Sequence, residues 1–230
     1  MILSKKEREK IFSLFLDNTK LKFSQIEKSI KLRSNLVAYH LEKLQKENLI
    51  EKKGSYYYLT KQAEKYLPVI PHILGKELSP LPVILVALLN KDKILLLKRN
   101  NRPYKNYWGL LGGKILLEEN FKKACIRKVK EESSIDCKFI SLNAVLHEQV
   151  NSDDVVKHSF ILFFTKARTS SLDFKESPQG KLKWFSLTDL DKEKIIPSDL
   201  WLIKNKLNSK IDVKSASMKE SNNKLSFKIV

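Results

Sequence analysis

Four residues between positions 113 and 132, Gly113, Glu119, Glu131 and Glu132, have the types and intervals that could hold a divalent cation against a diphosphate. Gly112-Gly113 is a pair that lets the backbone turn tightly and approach a ligand. Glu119, Arg127, Glu131 and Glu132 follow, with Lys128 directly after Arg127. On a helix, Glu131 and Glu132 stand three and four residues past Lys128, on neighbouring faces. Glu119 then falls at the loop–helix junction, where Asn120 can cap the helix. Carboxylate oxygens in these places suit Mg²⁺, with Mn²⁺ as the alternative ion. Such an ion would neutralise a diphosphate and polarise its bridging oxygen. The competing reading is an ion-paired helix surface. Arg127 and Glu131 are an i, i+4 pair, as are Lys128 and Glu132, each worth roughly 0.3–0.5 kcal/mol.

Other side chains could join this chemistry. His158 has an intrinsic pKa that suits a general base at neutral pH, although a lone histidine at a strand start is often a surface group. The guanidinium fork of Arg99 matches phosphate oxygens. Cys125, on the candidate helix, reads as core packing rather than as a nucleophile.

These residues need a frame. Val83 to Leu89 reads as a buried strand, and Lys93 to Arg99 as its hairpin neighbour. Pro68, Pro71, Pro80 and Pro82 crowd the stretch before them and disfavour a continuing helix. The division is therefore 1–78, 79–207 and a polar, aperiodic 208–230, expected to be a mobile tail. Within that tail, Leu225 to Val230 alternates enough to form an added strand.

In the first segment, Ser4 is a candidate N-cap for a helix reaching Leu16, with Ile11, Leu14 and Phe15 as its apolar stripe. Ser24 is expected to cap a second helix through Ile30. A third begins at Arg33 or Ser34, with Val37, Leu41 and Leu44 on one side. Leu49 to Leu59 reads as strand, turn at Gly54 and strand, and a fourth helix follows from Thr60. His40, on the third helix, reads as a structural histidine, and His72 in the linker carries no signal.

Composition narrows the class. The 230 residues hold 44 Lys and Arg against 26 Asp and Glu, a net +18. The segments 1–80, 81–169 and 170–230 carry +7, +7 and +4, so the charge is spread rather than gathered in a basic arm. It suits an acidic partner such as nucleic acid or a phosphorylated ligand. No apolar run approaches the roughly 20 residues of a membrane span, and the first residues form no signal segment. Two cysteines do not make a disulfide scaffold, which points to a reducing cytoplasm.

Two resemblances add to this reading. The stretch "NLVAYHLEKLQKENLIEKKGSYYYLT", with its surroundings over residues 1–70, resembles winged helix–turn–helix domains. That implies duplex DNA as a partner, with Lys31, Arg33, Ser34, Asn35, Tyr39 and Lys43 on the groove face and Lys52, Lys53 and Ser55 on the wing. Winged helices that read palindromes are usually dimers, so a homodimer is also implied. The run from Gly113 through Glu119 to Arg127, Val129, Glu131, Glu132 and Ile135 resembles the signature of Nudix hydrolases. The expected fold class is thus α+β: a winged helix–turn–helix followed by a Nudix α/β/α sandwich with a mixed sheet.

The loop "KRNNRPYKNYWGLLGG" and the later "LKWFSLTDL" are similar to GDP-mannose mannosyl hydrolases, a Nudix subgroup. This implies a nucleotide or nucleotide-sugar ligand. Glu132 and the Gly113 backbone would hold the metal, together with Glu119 and Glu131 of the general signature. Arg99 and Arg102 would contact the diphosphate beside Trp108, and His158 would activate water. His147 and Glu148 are a second candidate base pair, because other Nudix proteins take a base after the signature helix. The chain departs from the general signature at Lys128, where a Glu is the rule, and at Ser134, where a Gly is. It departs from the subgroup at Leu85, Leu111 and Lys157. Two functions follow: a metal-dependent hydrolase of a nucleoside diphosphate linked to another moiety, or a transcription regulator that senses such a ligand without cutting it.

Overall fold

In a computed structural model of the chain, residues 6–66, 78–152, 154–221 and 224–229 are described. Ser4, Pro68, Pro71 and His72 lie outside them. The chain divides into two units, Met1–Ser79 and Pro80–Val230. Among the described residues no helix is long and apolar enough to cross a membrane.

The first unit contains α1 (Lys6–Ser13), a 3₁₀ turn at Leu14–Leu16, β1 (Leu21–Lys22), α2 (Phe23–Ile30), α3 (Ser34–Lys46), β2 (Ile50–Lys53), β3 (Tyr56–Leu59) and α4 (Lys61–Glu64). The strands form an antiparallel sheet in the order β1-β3-β2. Ile11, Phe12 and Phe15 pack against Ile26, Val37, Leu41, Leu44 and Ile50, so the helical apolar spacing becomes one core. The guanidinium of buried Arg8 reaches Glu47 at 3.2 Å and ties α1 to the end of α3. Helix α2 begins one residue before its expected cap. The Lys22 amide donates to Gln25 Oε1 at 2.7 Å, so the chain turns into the helix ahead of Ser24. Gly54 makes the β2–β3 turn at φ +60°, where a side chain would be strained. The Thr60 hydroxyl caps α4 by accepting from the Ala63 amide at 3.1 Å.

The second unit contains β4 (Leu81–Asn90), β5 (Lys93–Arg99), β6 (Trp108–Gly109), β7 (Leu111–Lys114), α5 (Phe121–Ser133), β8 (Lys138–Ser152), β9 (Val155–Arg168), β10 (Gly180–Ser186), a 3₁₀ turn at Leu190–Lys192, α6 (Pro197–Lys206), β11 (Ala216–Ser221) and β12 (Lys224–Ile229). The main sheet runs β10-β5-β4-β9-β8, with β6 on β5 and β7 on β4. Strands β4 and β9 are parallel and the other pairs antiparallel, so the sheet is mixed.

Strand β4 explains its own continuous apolar sequence. Ile84, Val86 and Leu88 face Ala124, Cys125 and Val129 of α5. Leu85, Ala87 and Leu89 share the opposite cluster with Leu202 and Ile203 of α6. A strand covered on both faces has no polar side to alternate with. Cys125 is buried there, in keeping with a packing role.

Within the expected tail, residues 216–229 include a hairpin. Ala216–Ser221 pairs with Lys224–Ile229, opposing Met218 to Phe227 and Ala216 to Ile229. The final strand thus pairs with its own neighbour rather than adding to the main sheet. Before the hairpin, the Ile211 amide bonds the Leu142 carbonyl of β8 at 3.0 Å.

Candidate functional site

The signature helix, α5, is built as its sequence dictates. Asn120 Oδ1 accepts from the Lys123 amide at 3.0 Å, so the cap is in place. At the other end Ser134 adopts a left-handed conformation (φ +60°, ψ 9°), and its amide bonds the Lys130 carbonyl. This is the position where a glycine is favoured, which accounts for the Gly of the signature.

Arg127 clamps the loop before the helix onto the helix itself. Its Nε donates to Glu119 at 2.8 Å, its Nη1 to both oxygens of Glu131 at 3.0 Å, and its Nη2 to the Lys114 carbonyl at 3.0 Å. The Leu116 amide also donates to Glu119 at 2.7 Å. The Arg127 hydrogen bond is the main reason that the Glu119 carboxyl lies below its ordinary range. Burial opposes ionisation of Glu131, but hydrogen bonds from Arg127 and Lys128 outweigh it and hold that carboxyl low as well.

Lys128 departs from the surface role that its i, i+4 spacing implied. Its residue is 9% exposed. Its ammonium lies 3.0 Å from Glu132 Oε1 and 3.2 Å from Glu131 Oε2. It also crosses the backbone at Gly113, where a Cβ would stand 2.9 Å from Lys128 Cε and 3.2 Å from Nζ. Glu132 is buried too, and its Oε2 accepts the Gly112 amide at 3.0 Å. Burial pushes the Glu132 carboxyl up, more than the facing ammonium and the Gly112 amide bring it down.

These groups line a cavity of about 390 Å³. Arg99, Lys114, Lys128, Glu132, Gly112 and Gly113 line it, and Leu81, Val83, Leu85, Phe160 and Leu162 supply apolar wall. Tyr104, Glu148 and Asp199 also line it. The Tyr104 hydroxyl donates to Glu148 at 2.7 Å. Burial, then Glu148, pushes the Tyr104 hydroxyl above its ordinary value. Asp199 is buried at the start of α6 and accepts the Leu110 amide at 2.8 Å. Burial raises its carboxyl to about 7, with Glu148 adding to the effect against the Leu110 amide and Arg99. The arrangement offers cationic donors for an anionic group, apolar wall for a ring, and acid oxygens for hydroxyls.

The expected residues divide accordingly. Arg99, Gly113 and Glu132 line the cavity, whereas Arg102, Trp108, Glu119, Glu131 and His158 do not. Arg102 is exposed next to the cis peptide at Pro103. Trp108 packs edge-on against Phe185, with centroids 4.9 Å apart. His158 is exposed two residues beyond Phe160 on β9 and stacks on that ring at 6.0 Å. Strand alternation splits the other candidate pair: Glu148 enters the cavity, while His147 bonds the Ser159 hydroxyl at 3.0 Å.

These positions bear on the metal expectation. Among the described residues, no three His, Cys, Asp or Glu side chains are grouped to hold an ion. Glu119 and Glu131 are engaged by Arg127, and Glu131 and Glu132 by Lys128. A dication on Glu131 and Glu132 would sit near that ammonium. Unit charges about 4 Å apart repel by about 4 kcal/mol at an effective dielectric constant near 20, and a dication by twice that. The residues as arranged do not fit a multi-carboxylate Mg²⁺ site.

The first unit places the other expected set by itself. Lys31, Arg33, Ser34, Asn35 and Tyr39 are exposed, and Lys43 is half-buried with its ammonium 5.6 Å from the Tyr39 ring centre. The Ser34 hydroxyl is engaged by Glu27. Lys52 and Lys53 are exposed on the hairpin, over the Tyr57 and Tyr58 rings. The sequence reading missed Lys20 and Lys22, whose ammonium groups lie 4.7 and 5.3 Å from the Tyr56 ring centre. It also missed Tyr104 and Asp199, for which no local pattern exists, because their partners lie 44 and 89 residues away.

Comparisons with known proteins bear on the second unit. An uncharacterized Nudix hydrolase of Bacillus subtilis is 27% identical over 114 residues, 49% of this chain and 70% of that protein. An ADP-ribose pyrophosphatase of Methanocaldococcus jannaschii is 40% identical over 60 residues, 26% of this chain and 36% of that protein. An ADPR responsive transcriptional repressor of Acinetobacter baylyi is 37% identical over 68 residues, 27% of each. The latter two matches span well under two thirds of the relatives' own lengths. The NUDIX domain profile matches residues 79–204, more than half of the sequence and nearly all of the sandwich that carries the cavity. The chain belongs to the Nudix family.

Proposed function

We propose that this chain is a ligand-responsive DNA-binding protein. Its Nudix unit binds a nucleoside diphosphate linked to a second moiety, of the ADP-ribose or nucleotide-sugar kind. Its first unit acts as a winged helix on duplex DNA. The observation that carries this reading over turnover is the Lys128 ammonium between Glu131 and Glu132, where a hydrolase of this family would gather carboxylates. The cavity supports the ligand class, with Arg99 and Lys128 for phosphates and Glu148 and Asp199 for hydroxyls. Two of the relatives have ADP-ribose in their names, one as a pyrophosphatase and one as a repressor. Three helices, a basic hairpin and the exposed Asn35 and Tyr39 on α3 support the DNA role. Two free cysteines fit a cytoplasmic setting.

The second reading is retained hydrolysis. It is favoured by Glu132, whose carboxylate lines the cavity next to the glycine pair at the signature interval. ³¹P NMR on ADP-ribose, GDP-mannose and GDP-glucose with Mg²⁺ separates the two, run beside thermal protection. We expect protection by at least one ligand without new phosphorus signals. Cleavage that disappears in Glu132→Gln would establish the enzyme instead. For DNA, duplexes selected from a random library should bind less tightly as salt rises, because each phosphate contact releases counterions. A flat salt response would refute that part.

A further inference from the structure

We propose that the Lys128 ammonium is itself the cation that holds the ligand's diphosphate, so that the cavity binds its ligand without a divalent ion. This rests on the nucleotide reading above and adds how the anion is held. Lys128 lines the cavity and is buried, and its ammonium lies over the Gly113 backbone. One of its three N–H donors bonds Glu131 at 3.2 Å, and the ammonium is ion-paired with Glu132 at 3.0 Å. Donor capacity remains for a ligand oxygen.

Glu132 is fixed by the Gly112 amide at 3.0 Å, so the ammonium is positioned by a side chain that is itself positioned. Arg99 stands on the same cavity with its Nε spent on the Pro103 carbonyl at 3.0 Å, leaving the terminal nitrogens of its fork. Lysine as a point charge and arginine as a fork are the two side-chain means of holding phosphate oxygens. Together they would supply the positive charge that a metal otherwise brings to a diphosphate. Because the cation is covalently attached, chelation cannot remove it.

The test is calorimetric titration of the full chain with ADP-ribose, in excess EDTA and again in millimolar Mg²⁺. Affinities equal to within about twofold are expected, since the cation is built in. Lys128→Met removes a charge-assisted contact and should weaken binding about tenfold or more in EDTA. That substitution leaves Glu132 buried without its partner and could unfold the unit. The double variant Lys128→Met with Glu132→Gln removes both charges and serves as the folded comparison; it should bind as weakly. In Lys128→Glu, which installs the family's usual residue, binding should become sensitive to EDTA. If EDTA weakens the unaltered chain tenfold, the nucleotide reading stands and the built-in cation is overturned. The same holds if the double variant binds as the unaltered chain does. If ADP-ribose and the nucleotide sugars bind under neither condition, the nucleotide reading falls and this inference with it.

Discussion

Replacing Asp199 by Asn tests whether the cavity wall carries an acid that folding makes harder to ionise. The folded-state pKa is about 7 against an ordinary 3.8. A carboxyl raised in this way binds its proton more tightly in the folded chain than in the unfolded one. Stability must therefore fall as pH rises between the two values, and the loss is complete above the folded value. The full shift corresponds to about 4 kcal/mol, at 1.36 kcal/mol per pH unit. Between pH 5 and pH 8 the share of Asp199 is about 2.5 kcal/mol. Asparagine keeps an oxygen for the Leu110 amide, now 2.8 Å from Asp199, but has no proton to lose. The assay is urea unfolding followed by tryptophan fluorescence. Trp108, Trp184 and Trp201 all lie in the second unit, so the signal reports that unit alone. Burial raises the Glu132 carboxyl as well, so the informative quantity is the difference between the two chains. Asp199→Asn should be the more stable at pH 8, with the gap narrowing toward pH 5. Parallel pH profiles, or a variant less stable at pH 8, would refute the reasoning.

Two further outcomes follow from the glycine and left-handed positions. Ser134→Gly should stabilise the second unit by about 1 kcal/mol, because a left-handed residue at a helix end costs a side-chain-bearing residue what glycine avoids; the same fluorescence titration measures it, and an unchanged or lower midpoint would count against it. Gly112→Ala would place a Cβ 2.2 Å from the Ile84 carbonyl oxygen and should drive β7 from β4, seen as loss of the cooperative fluorescence transition.

The parts of the site that were legible in the sequence are those encoded over short intervals. Asn120, Arg127 and the acids on α5 interact with residues no more than 20 positions away, and β4 announced itself by unbroken apolarity. Lys128 was visible as a departure, but its place over Gly113 depends on how β7 meets α5, and no helical spacing contains that. Asp199 read as an ordinary acid in the first turn of a helix; only the folded chain brings the Leu110 amide to it. His158 stands on the same face of β9 as Phe160 and Leu162, and a strand pattern gives the face without saying how far along it the cavity ends. The terminal hairpin was hidden because its apolar residues are divided between two strands that each look half polar alone.

The parallel pairing of β4 with β9 has a consequence for synthesis. Leu81 pairs with Phe160 and Leu89 with Arg168, so the central strand waits about eighty residues for its partner. The core of the first unit, in contrast, closes between Ile11 and Ala63 and can form while the rest is still being made. During that interval β4 carries an apolar run with one edge unpaired, the kind of segment on which nascent chains associate wrongly. Emergence of β9 from the ribosome is therefore the step that closes the open edge of β4, and α6 later covers its remaining apolar face.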